Sequence, residues 1–290
     1  MNSTYLDPIL GWYEANARDL PWRADDATPW GVLVSEIMLQ QTPVARVLPV
    51  WQTWMRRWPT PPDLAAEPSG EAVRAWGRLG YPRRALRLHE SARAITERHG
   101  GAVPSAHEDL LALPGIGSYT AAAVASFAFR QRHAVLDTNV RRVLARLLGG
   151  VEYPPKSQTR AEVRLAESLL PLDPPTAARW AVAVMELGAL VCTARTPRCA
   201  DCPVIASCAW QRAGRPAYEG PPRRGQTYAG TDRQCRGRLL AVLRDAEGPV
   251  EKPALDVVWS DAVQRERALD ALVADGLVDP LQDGRYALPM

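Results

Sequence analysis

The sequence predicts an all-α fold. Apolar residues recur at helical spacing along most of the 290 residues, and Gly and Pro punctuate the gaps between these segments. No convincing alternating strand pattern occurs before about residue 275. The composition, 47% hydrophobic and 23% charged, is ordinary for two or three compact units.

The composition also limits the compartment and the partners. No stretch is apolar enough to span a bilayer, and the N-terminus lacks the apolar core of a signal peptide. We therefore expect no membrane partner and a reducing cytoplasm, in which thiols stay available for a metal. A net charge of +3 is compatible with nucleic-acid binding but does not require it.

The helices follow from periodicity and terminal signals. The first is predicted at about 4–17. The second is predicted at 29–41, with Thr28 as its N-cap, Pro29 at its first position and Pro43 just past its end. Further helices are predicted at about 70–78, 82–98, 106–112, 118–129, 139–148, 159–170 and 175–191.

A cysteine-rich loop follows the last of these helices. Four cysteines lie in one short window with the spacing C-x6-C-x2-C-x5-C: Cys192, Cys199, Cys202 and Cys208. Only one C-x2-C pair and no His occurs there, which differs from common structural zinc sites. A single [4Fe–4S] cluster held by four thiolates fits better, with a zinc ribbon or two disulfides as alternatives. Cys235 lies outside this window.

Residues beyond the cysteines form two further segments. The segment 211–233 is rich in Gly and Pro and carries five arginines against two acidic residues, so we interpret it as a basic linker. It is either a solvated tether or a phosphate contact. The pattern of residues 234–290 predicts short helices closed by a small hairpin, as in a winged helix. Such a module contacts either DNA or protein.

Glu36 is the only charged residue in an otherwise apolar helical segment, 30–39. Such a helix is expected to be buried. A desolvated carboxyl has a raised pKa and can remain protonated near neutrality, as a general acid must. The alternative is a buried Glu paired with an Arg.

Asp137 follows an apolar stretch and directly precedes a predicted helix. It is predicted to be an N-cap, which by itself would be only structural. Backbone N–H groups at that position favour the charged form of a carboxyl. One neutral and one anionic carboxyl is the pairing that cleaves glycosidic bonds, so Glu36 and Asp137 are candidate catalytic residues.

A tight turn of sequence Leu-Pro-Gly-Ile-Gly lies between two predicted helices, at residues 113–117. Gly115 and Gly117 permit positive φ and bring bare backbone amides to the surface. The next helix then begins with free N–H groups, which together suit a DNA phosphate. Leu113 and Ile116 are expected to anchor the turn in the core.

Taken together, these residues resemble the helix-hairpin-helix, iron–sulfur DNA glycosylases, and among them the adenine DNA glycosylase (MutY) family. The resemblance covers about 1–215. Its motifs are Asp19 to Arg23, Val34 to Thr42, Leu79 to Tyr81, Leu113 to Thr120, Leu136 to Val143, and Met185 to Cys192. It implies a core, 1–210, of two helical subdomains: one of six helices at about 28–137, and a cluster subdomain formed by 1–27 and 138–210. A basic linker, 211–233, and a winged-helix-like region, 234–290, would follow.

The resemblance implies removal of adenine mispaired with 8-oxoguanine or guanine in double-stranded DNA, by a protein that is expected to be a monomer. Glu36 would protonate the adenine at N7. Asp137 would stabilise the oxocarbenium-like sugar, with Asn139 and Tyr119 as assisting polar groups. A base inside a duplex must be extruded first, at a cost of about a few kcal/mol, and a mismatched base costs less.

The resemblance also implies DNA contacts and a cofactor. Trp22 and Arg23 would line the pocket for the flipped adenine. Gln41 and Tyr81 would enter the base stack beside 8-oxoguanine, with Thr42 close to that base. Other expected contacts are the turn residues Leu113, Gly115 and Gly117 and the loop residues Arg195 and Arg198. The four cysteines would hold a [4Fe–4S] cluster with a structural and DNA-docking role.

Three features depart from, or subdivide, the family pattern. Strand-nicking relatives carry a Lys where this chain has Tyr119, so we expect a monofunctional enzyme. The usual Asp-Gly-Asn is Asp137-Thr138-Asn139 here, which we expect only to tune activity. Residues 234–290 are too short and too helical for a Nudix-like domain, so the preference for 8-oxoguanine over guanine is expected to be weaker.

Two other functions remain open. A relative could excise thymine or uracil mispaired with G, although retention of both carboxylates favours a purine leaving group. A non-catalytic iron–sulfur protein for DNA binding or redox sensing is the alternative from another class.

Overall fold

The computed structural model describes residues 3–220 and 228–290, and over these residues the predicted all-α class is confirmed. The helices are α1 (Ser3–Asn16), α2 (Pro29–Leu39), α3 (Val44–Arg57), α4 (Pro61–Ala65), α5 (Ser69–Trp76), α6 (Arg83–Arg98), α7 (His107–Leu111), α8 (Ser118–Phe127), α9 (Thr138–Leu147), α10 (Arg160–Leu169), α11 (Pro174–Leu190), α12 (Ala209–Arg212), α13 (Asp232–Asp245), α14 (Lys252–Asp256) and α15 (Ala262–Ala274). None of the helices within these ranges is long and apolar enough to cross a membrane.

Helices α3 and α4 were not predicted from the sequence. Pro49 lies inside α3, and a proline normally ends a helix because it removes one backbone hydrogen bond and crowds the preceding turn. The helix forms nevertheless because its apolar face is buried. Trp54 of that face is 1% exposed and packs edge-on against Trp58 and Trp76, with ring centroids 4.7 and 5.8 Å away. Burial of these large rings outweighs the lost hydrogen bond.

The first compact unit comprises residues 1–32, 105–111 and 116–222. Its centre is α11, which packs against α9, α1 and α8. The core between these helices is aliphatic and nearly closed to solvent: Ile9, Leu144, Val184 and Leu187. The cysteine loop belongs to this unit, and three of its thiols pack against the same core. The loop is therefore anchored on the helices that carry Asp137 and Glu186.

The second compact unit comprises residues 33–104, 112–115 and 223–290. Helices α4 and α5 pack on α6, and α13 packs on α15 and on α5. Arg74 of α5 donates to the main-chain carbonyls of Arg244 and Ala246, the latter at 2.7 Å. Arg244 Nε returns a hydrogen bond of 2.9 Å to the Val73 carbonyl. The C-terminal region is thus fastened to α5 by two reciprocal arginines.

The C-terminal region has the predicted form, three helices and a small hairpin. Strand β1 (Asp279–Pro280) pairs antiparallel with β2 (Tyr286–Ala287), and Val250 bridges to Tyr286. The arginines of α15 are engaged in ion pairs: Arg267 with Asp232 at 2.8 Å and Arg265 with Asp256 at 3.0 Å. These ion pairs stabilise the packing of α15 within the C-terminal region.

The structure describes residues 211–220 and 228–233 of the predicted basic linker. Arg212 ends α12, and the Arg215 guanidinium lies over the Trp210 ring, 5.1 Å from its centroid. Arg223 and Arg224 lie outside the described residues. The predicted boundaries at 210 and 233, and the subdomain division within 1–210, stay predictions.

Candidate active site

Glu36 lies in α2, where the sequence places it, and is 7% exposed. The helix begins as predicted, because Thr28 Oγ1 accepts a hydrogen bond of 3.1 Å from the Gly31 N–H. The neighbours Ser35 and Met38 are fully buried. The expected burial of this carboxylate is therefore confirmed, whereas its protonation stays a prediction.

Asp137 caps α9 as predicted. Its Oδ1 accepts a hydrogen bond of 2.6 Å from the Val140 N–H, and its Oδ2 accepts one of 2.7 Å from Asn139 Nδ2. Burial nevertheless raises the pKa of Asp137, and the hydrogen bonds and the charge of Arg142 offset this only in part. The prediction that capping favours the ionised form is correct for the cap itself, but the net shift of the pKa is upward.

Arg142 connects the cap of α9 to the cysteine loop. Its Nη2 donates to Asn139 Oδ1 at 2.9 Å and to the Gly188 carbonyl at 2.7 Å, and its Nε donates to the Cys192 carbonyl at 2.8 Å. The close approach of α9 and α11 requires a glycine, because a Cβ on Gly188 would lie 2.7 Å from the Asn139 Cβ. Asn139 is thereby held from two sides.

Trp22 and Arg23 form a 3-10 turn that is tied to α11 through Glu186. Trp22 is 5% exposed, and Glu186 is fully buried. Two arginines bind the Glu186 carboxylate: Arg18 in bidentate fashion at 2.6 and 2.7 Å, and Arg23 at 2.9 Å. Burial raises the pKa of Glu186, but the hydrogen bonds and charges of the two arginines lower it by more. The pKa of Glu186 therefore lies below its ordinary value.

The turn between α7 and α8 differs from its prediction at one glycine. Leu113 and Ile116 are buried, as expected. Gly115 has φ +75° and is exposed, and a Cβ there would lie 2.6 Å from the Arg87 Cβ. Gly117 instead has φ −95° and ψ 175°, because it is the N-cap of α8, an extended position open to any residue. The exposed backbone there still suits an anion.

Tyr119 lies in the first turn of α8 and is partly buried. It packs against a small cluster formed by Ala122, Ala123, Val135 and Ala181. Thr138, the departure from the family motif, is exposed at the start of α9. Its side chain therefore takes no room in the core near Asp137.

Gln41 and Tyr81 share an unusual backbone conformation. Both are non-glycine residues in the left-handed region, with φ 55° and 49°, and both are exposed. Thr42, which is 6% exposed, donates from Oγ1 to the Leu79 carbonyl at 3.3 Å. The expected DNA-contacting residues of the second unit thus stand on two loops that hydrogen-bond to each other.

The four loop cysteines fit a metal cluster by their chemistry. None of the four is in a disulfide, and all are partly buried. Burial raises the pKa of Cys202 to about 11, and the other three thiols add to this rise, so the four share one electrostatic neighbourhood. Arg146, 1% exposed, donates from Nη1 towards Cys192 Sγ at 3.4 Å. Among the described residues, no three Cys, His, Asp or Glu side chains converge closely enough to hold a single metal ion.

Arg195 and Arg198 of the same loop are both exposed. Arg198 also folds back on α11, with Nη2 donating to the Leu190 carbonyl at 2.7 Å and Nε at 3.1 Å. It therefore caps the C-terminus of α11. Arg195 is the more open of the two for an anion.

Several residues of the site were missed by the sequence reasoning. Glu186 is the only acidic residue of the largely apolar helix α11, a signal similar to the one that singled out Glu36, although α11 also carries Arg179. Arg84, Arg142 and Arg146 carry no comparable signal, because arginines are numerous in this chain and their carbonyl partners are distant in sequence.

Known proteins resemble this chain over almost its whole length. Residues 34–168 match the family described as HhH-GPD superfamily base excision DNA repair protein. The adenine DNA glycosylase of Mycobacterium tuberculosis is 56% identical over 285 residues, covering 97% of this chain and 92% of that protein. The adenine DNA glycosylase of Mycolicibacterium smegmatis is 54% identical, covering 97% and 94%.

The fold comparison agrees with the sequence comparison. The solved structure of a thermostable thymine-DNA glycosylase superposes with a TM-score of 0.65 at 30% identity, covering 72% of this chain and 95% of that one. The predicted helix-hairpin-helix glycosylase core is thereby confirmed. The chain belongs to the HhH-GPD superfamily of base excision DNA repair enzymes and, within it, to the adenine DNA glycosylase family.

Proposed function

We propose that this chain is a monofunctional glycosylase that hydrolyses the N-glycosidic bond of adenine mispaired with 8-oxoguanine or guanine in DNA. The observation that carries the proposal is the 56% identity to an adenine DNA glycosylase over 97% of the chain. Burial of Glu36 and the capping position of Asp137 support it, because they provide the two distinct carboxyl environments that this reaction needs.

The chemistry divides between these two carboxyls. Glu36, in its nearly closed position on α2, donates a proton to adenine N7 and makes the base a better leaving group. Asp137 offsets the positive charge that develops on the sugar, and its orientation is set by the Val140 N–H and the Asn139 amide. Water then completes the hydrolysis.

The monofunctional assignment rests on the first turn of α8. A strand-nicking relative uses a Lys amine as the nucleophile that forms a Schiff base with the sugar. Tyr119 occupies that place and packs against the small apolar cluster of three alanines and Val135. A phenol that is fixed in this way can assist as a polar group but cannot form a Schiff base.

The cofactor that we propose is a [4Fe–4S] cluster held by the four loop cysteines. Cys192, Cys199, Cys202 and Cys208 would each supply one thiolate ligand to the cluster. The loop's free thiols and the Arg146 guanidinium beside Cys192 suit an anionic cluster. Such a cluster would fasten the loop to α9 and α11. Exposed Arg195 in that loop is proposed to contact DNA phosphate, and the protein is proposed to act as a monomer.

A single-turnover panel tests the proposed function. Duplexes carrying A:8-oxoG, A:G, T:G and U:G are treated with the protein, and each sample is analysed with and without alkali. We expect excision from the adenine mispairs, with strand breakage only after alkali. Excision from T:G or U:G alone would support the alternative of a pyrimidine-specific enzyme, which the likeness to a thymine-DNA glycosylase keeps open.

The variant Glu36→Gln separates an enzyme from a DNA-binding protein. We expect loss of excision with unchanged affinity for the mispaired duplex, because the amide keeps the shape of the side chain but has no acidic proton. If excision persists at the wild-type rate, Glu36 is not the acid. If the wild-type protein excises nothing yet binds DNA, a non-catalytic role is the better explanation.

A further inference from the structure

The two loops that carry Gln41 and Tyr81 hold backbone conformations that need support. A left-handed conformation is strained for a residue with a Cβ. Gln41 and Tyr81 both adopt it, at φ 55° and 49°, and both expose their side chains. Neither loop would retain this arrangement by itself, so neighbouring groups must hold each one in place.

One guanidinium, that of Arg84 on α6, holds the loop of Gln41. Its Nη1 donates to three main-chain carbonyls, those of Ile37 (2.8 Å), Met38 (3.1 Å) and Gln40 (2.7 Å). The last carbonyls of a helix have no partner within the helix. Arg84 therefore caps the C-terminus of α2, which ends at Leu39, two residues before Gln41.

The same guanidinium holds the loop of Tyr81. Its Nη2 donates to the Gly80 carbonyl at 3.0 Å and to Thr42 Oγ1 at 3.1 Å. The Arg84 main-chain N–H donates to the Tyr81 carbonyl at 3.0 Å, and its guanidinium lies 5.6 Å from the Tyr81 ring centroid. One side chain thus fixes the backbone on both sides of the pair.

The partners of Arg84 distinguish it from the other arginines of α6. Arg83, Arg87 and Arg93 are at least half exposed and pair with carboxylates. Arg84 is partly buried, and among the described residues its hydrogen-bond partners are carbonyls and one hydroxyl. Burial lowers the pKa of Arg84 to about 10, so it remains charged at neutral pH. No carboxylate among the described residues pairs with this guanidinium, and its bonds to carbonyls indicate a positioning role.

We propose that Arg84 is a positioning residue that sets Gln41 and Tyr81 at the spacing needed to enter the DNA base stack, and that it acts in extrusion of adenine rather than in bond cleavage. This inference rests on the proposed function. The bonds of Arg84 to Ile37 and Met38 go to main-chain carbonyls at the end of α2. Glu36 lies further inside that helix, so we expect it to keep its position when Arg84 is replaced. Loss of Arg84 is therefore expected to affect base flipping first.

The test compares Arg84→Gln and Arg84→Lys with the matched control Arg93→Gln, an exposed arginine of the same helix. A fluorescent adenine analogue, 2-aminopurine, is placed next to the target adenine to report unstacking. Single-turnover excision is measured on A:8-oxoG DNA and on a duplex in which the target adenine faces an abasic spacer and is already easier to extrude. Thermal unfolding checks that each variant is folded.

We expect Arg84→Gln to slow the fluorescence change and A:8-oxoG excision by about tenfold, which corresponds to relaxing one strained loop. The loss should be several times smaller opposite the spacer. Arg84→Lys should recover part of the rate, since an ammonium still donates to carbonyls, and Arg93→Gln should match the wild type. Equal losses on both duplexes, or no loss with the wild type active, would overturn the inference. No excision by the wild type would instead refute the proposed function.

Discussion

Arg142 Nη2 donates a hydrogen bond of 2.9 Å to Asn139 Oδ1, and Asn139 Nδ2 in turn lies 2.7 Å from Asp137 Oδ2. The same arginine binds the carbonyl of Cys192 through Nε at 2.8 Å. The orientation of the candidate catalytic carboxylate therefore depends on a side chain that is fixed by the first cysteine of the loop. With Nδ2 towards Asp137 and Oδ1 towards Arg142, the Asn139 amide satisfies both partners at once.

Replacing Arg142 should misplace Asp137 without unfolding the helix that carries it. In Arg142→Gln the Asn139 carboxamide loses its donor, and an error of about 1 Å in a catalytic group can cost about 100-fold in rate. We expect single-turnover excision on A:8-oxoG DNA to fall by about 10- to 100-fold while affinity for the duplex changes little. Arg164→Gln, at an exposed site on α10, is the control. A wild-type excision rate in Arg142→Gln would contradict this coupling.

The pH dependence of excision should report the raised pKa of Asp137. Burial raises this pKa, and the anionic form is the one that stabilises a cationic sugar, so activity is lost as pH falls through the raised value. We expect an acid limb in the rate profile above the ordinary Asp value of about 3.9. The charge of Arg142 lowers the pKa of Asp137, so the limb should move to higher pH in Arg142→Gln. A limb that stays in place would assign it to another group.

The sequence predicted most of the helices, though not α3 or α4, together with the C-terminal hairpin and the positions of the two carboxyls, because capping and helical periodicity are local signals. Helix α3 was not predicted; it contains Pro49 and is stabilised by tertiary burial of Trp54, which no local pattern reveals. The upward shift of the pKa of Asp137 could not be predicted from the sequence either. Its cap is local, whereas its desolvation depends on packing that only the folded chain provides.

The hydrogen-bond partners of the buried arginines could not be predicted from the sequence. Arg84 binds carbonyls more than 40 positions away along the chain, and Arg142 binds one 50 positions away. No spacing rule connects an arginine to a distant carbonyl. Glu186, by contrast, is the only acidic residue of an apolar helix and could have been found by a similar rule applied to acidic residues alone.

Removing the charge of Glu186 should destabilise the first unit. Glu186→Gln leaves Arg18 and Arg23 without their shared carboxylate, and breaking a buried pair typically costs about 3–5 kcal/mol. We expect a lower midpoint of thermal or urea unfolding at neutral pH. Glu14→Gln, which removes an exposed partner of Arg179, should leave the midpoint nearly unchanged.

The ion pairs of Glu186 also predict how the stability of the protein responds to acid. Because the folded-state pKa of Glu186 lies below its ordinary value, its contribution is complete above the unfolded value of about 4.3 and is lost as pH falls towards the folded one. The wild type and Glu186→Gln should therefore converge in stability below pH ~4. A difference that persists unchanged into that range would mean that packing, not charge, is responsible.

The reciprocal arginines Arg74 and Arg244 should determine whether the C-terminal region stays on α5. Arg74→Ala removes the donor to the carbonyls at the end of α13, where the chain has no further helical partners for them. The backbone contact from the Gly70 N–H to the Pro289 carbonyl, 2.7 Å, remains. We expect faster amide hydrogen exchange in α13 and near residues 287–289 and a lower unfolding midpoint, while exchange in α9 and α11 is unchanged. Arg98→Ala, exposed at the end of α6, is the control.

Because α15 uses its arginines in internal ion pairs, DNA affinity should fall little in Arg74→Ala. A large loss of affinity would instead indicate that the docked C-terminal region contributes to the DNA-binding surface.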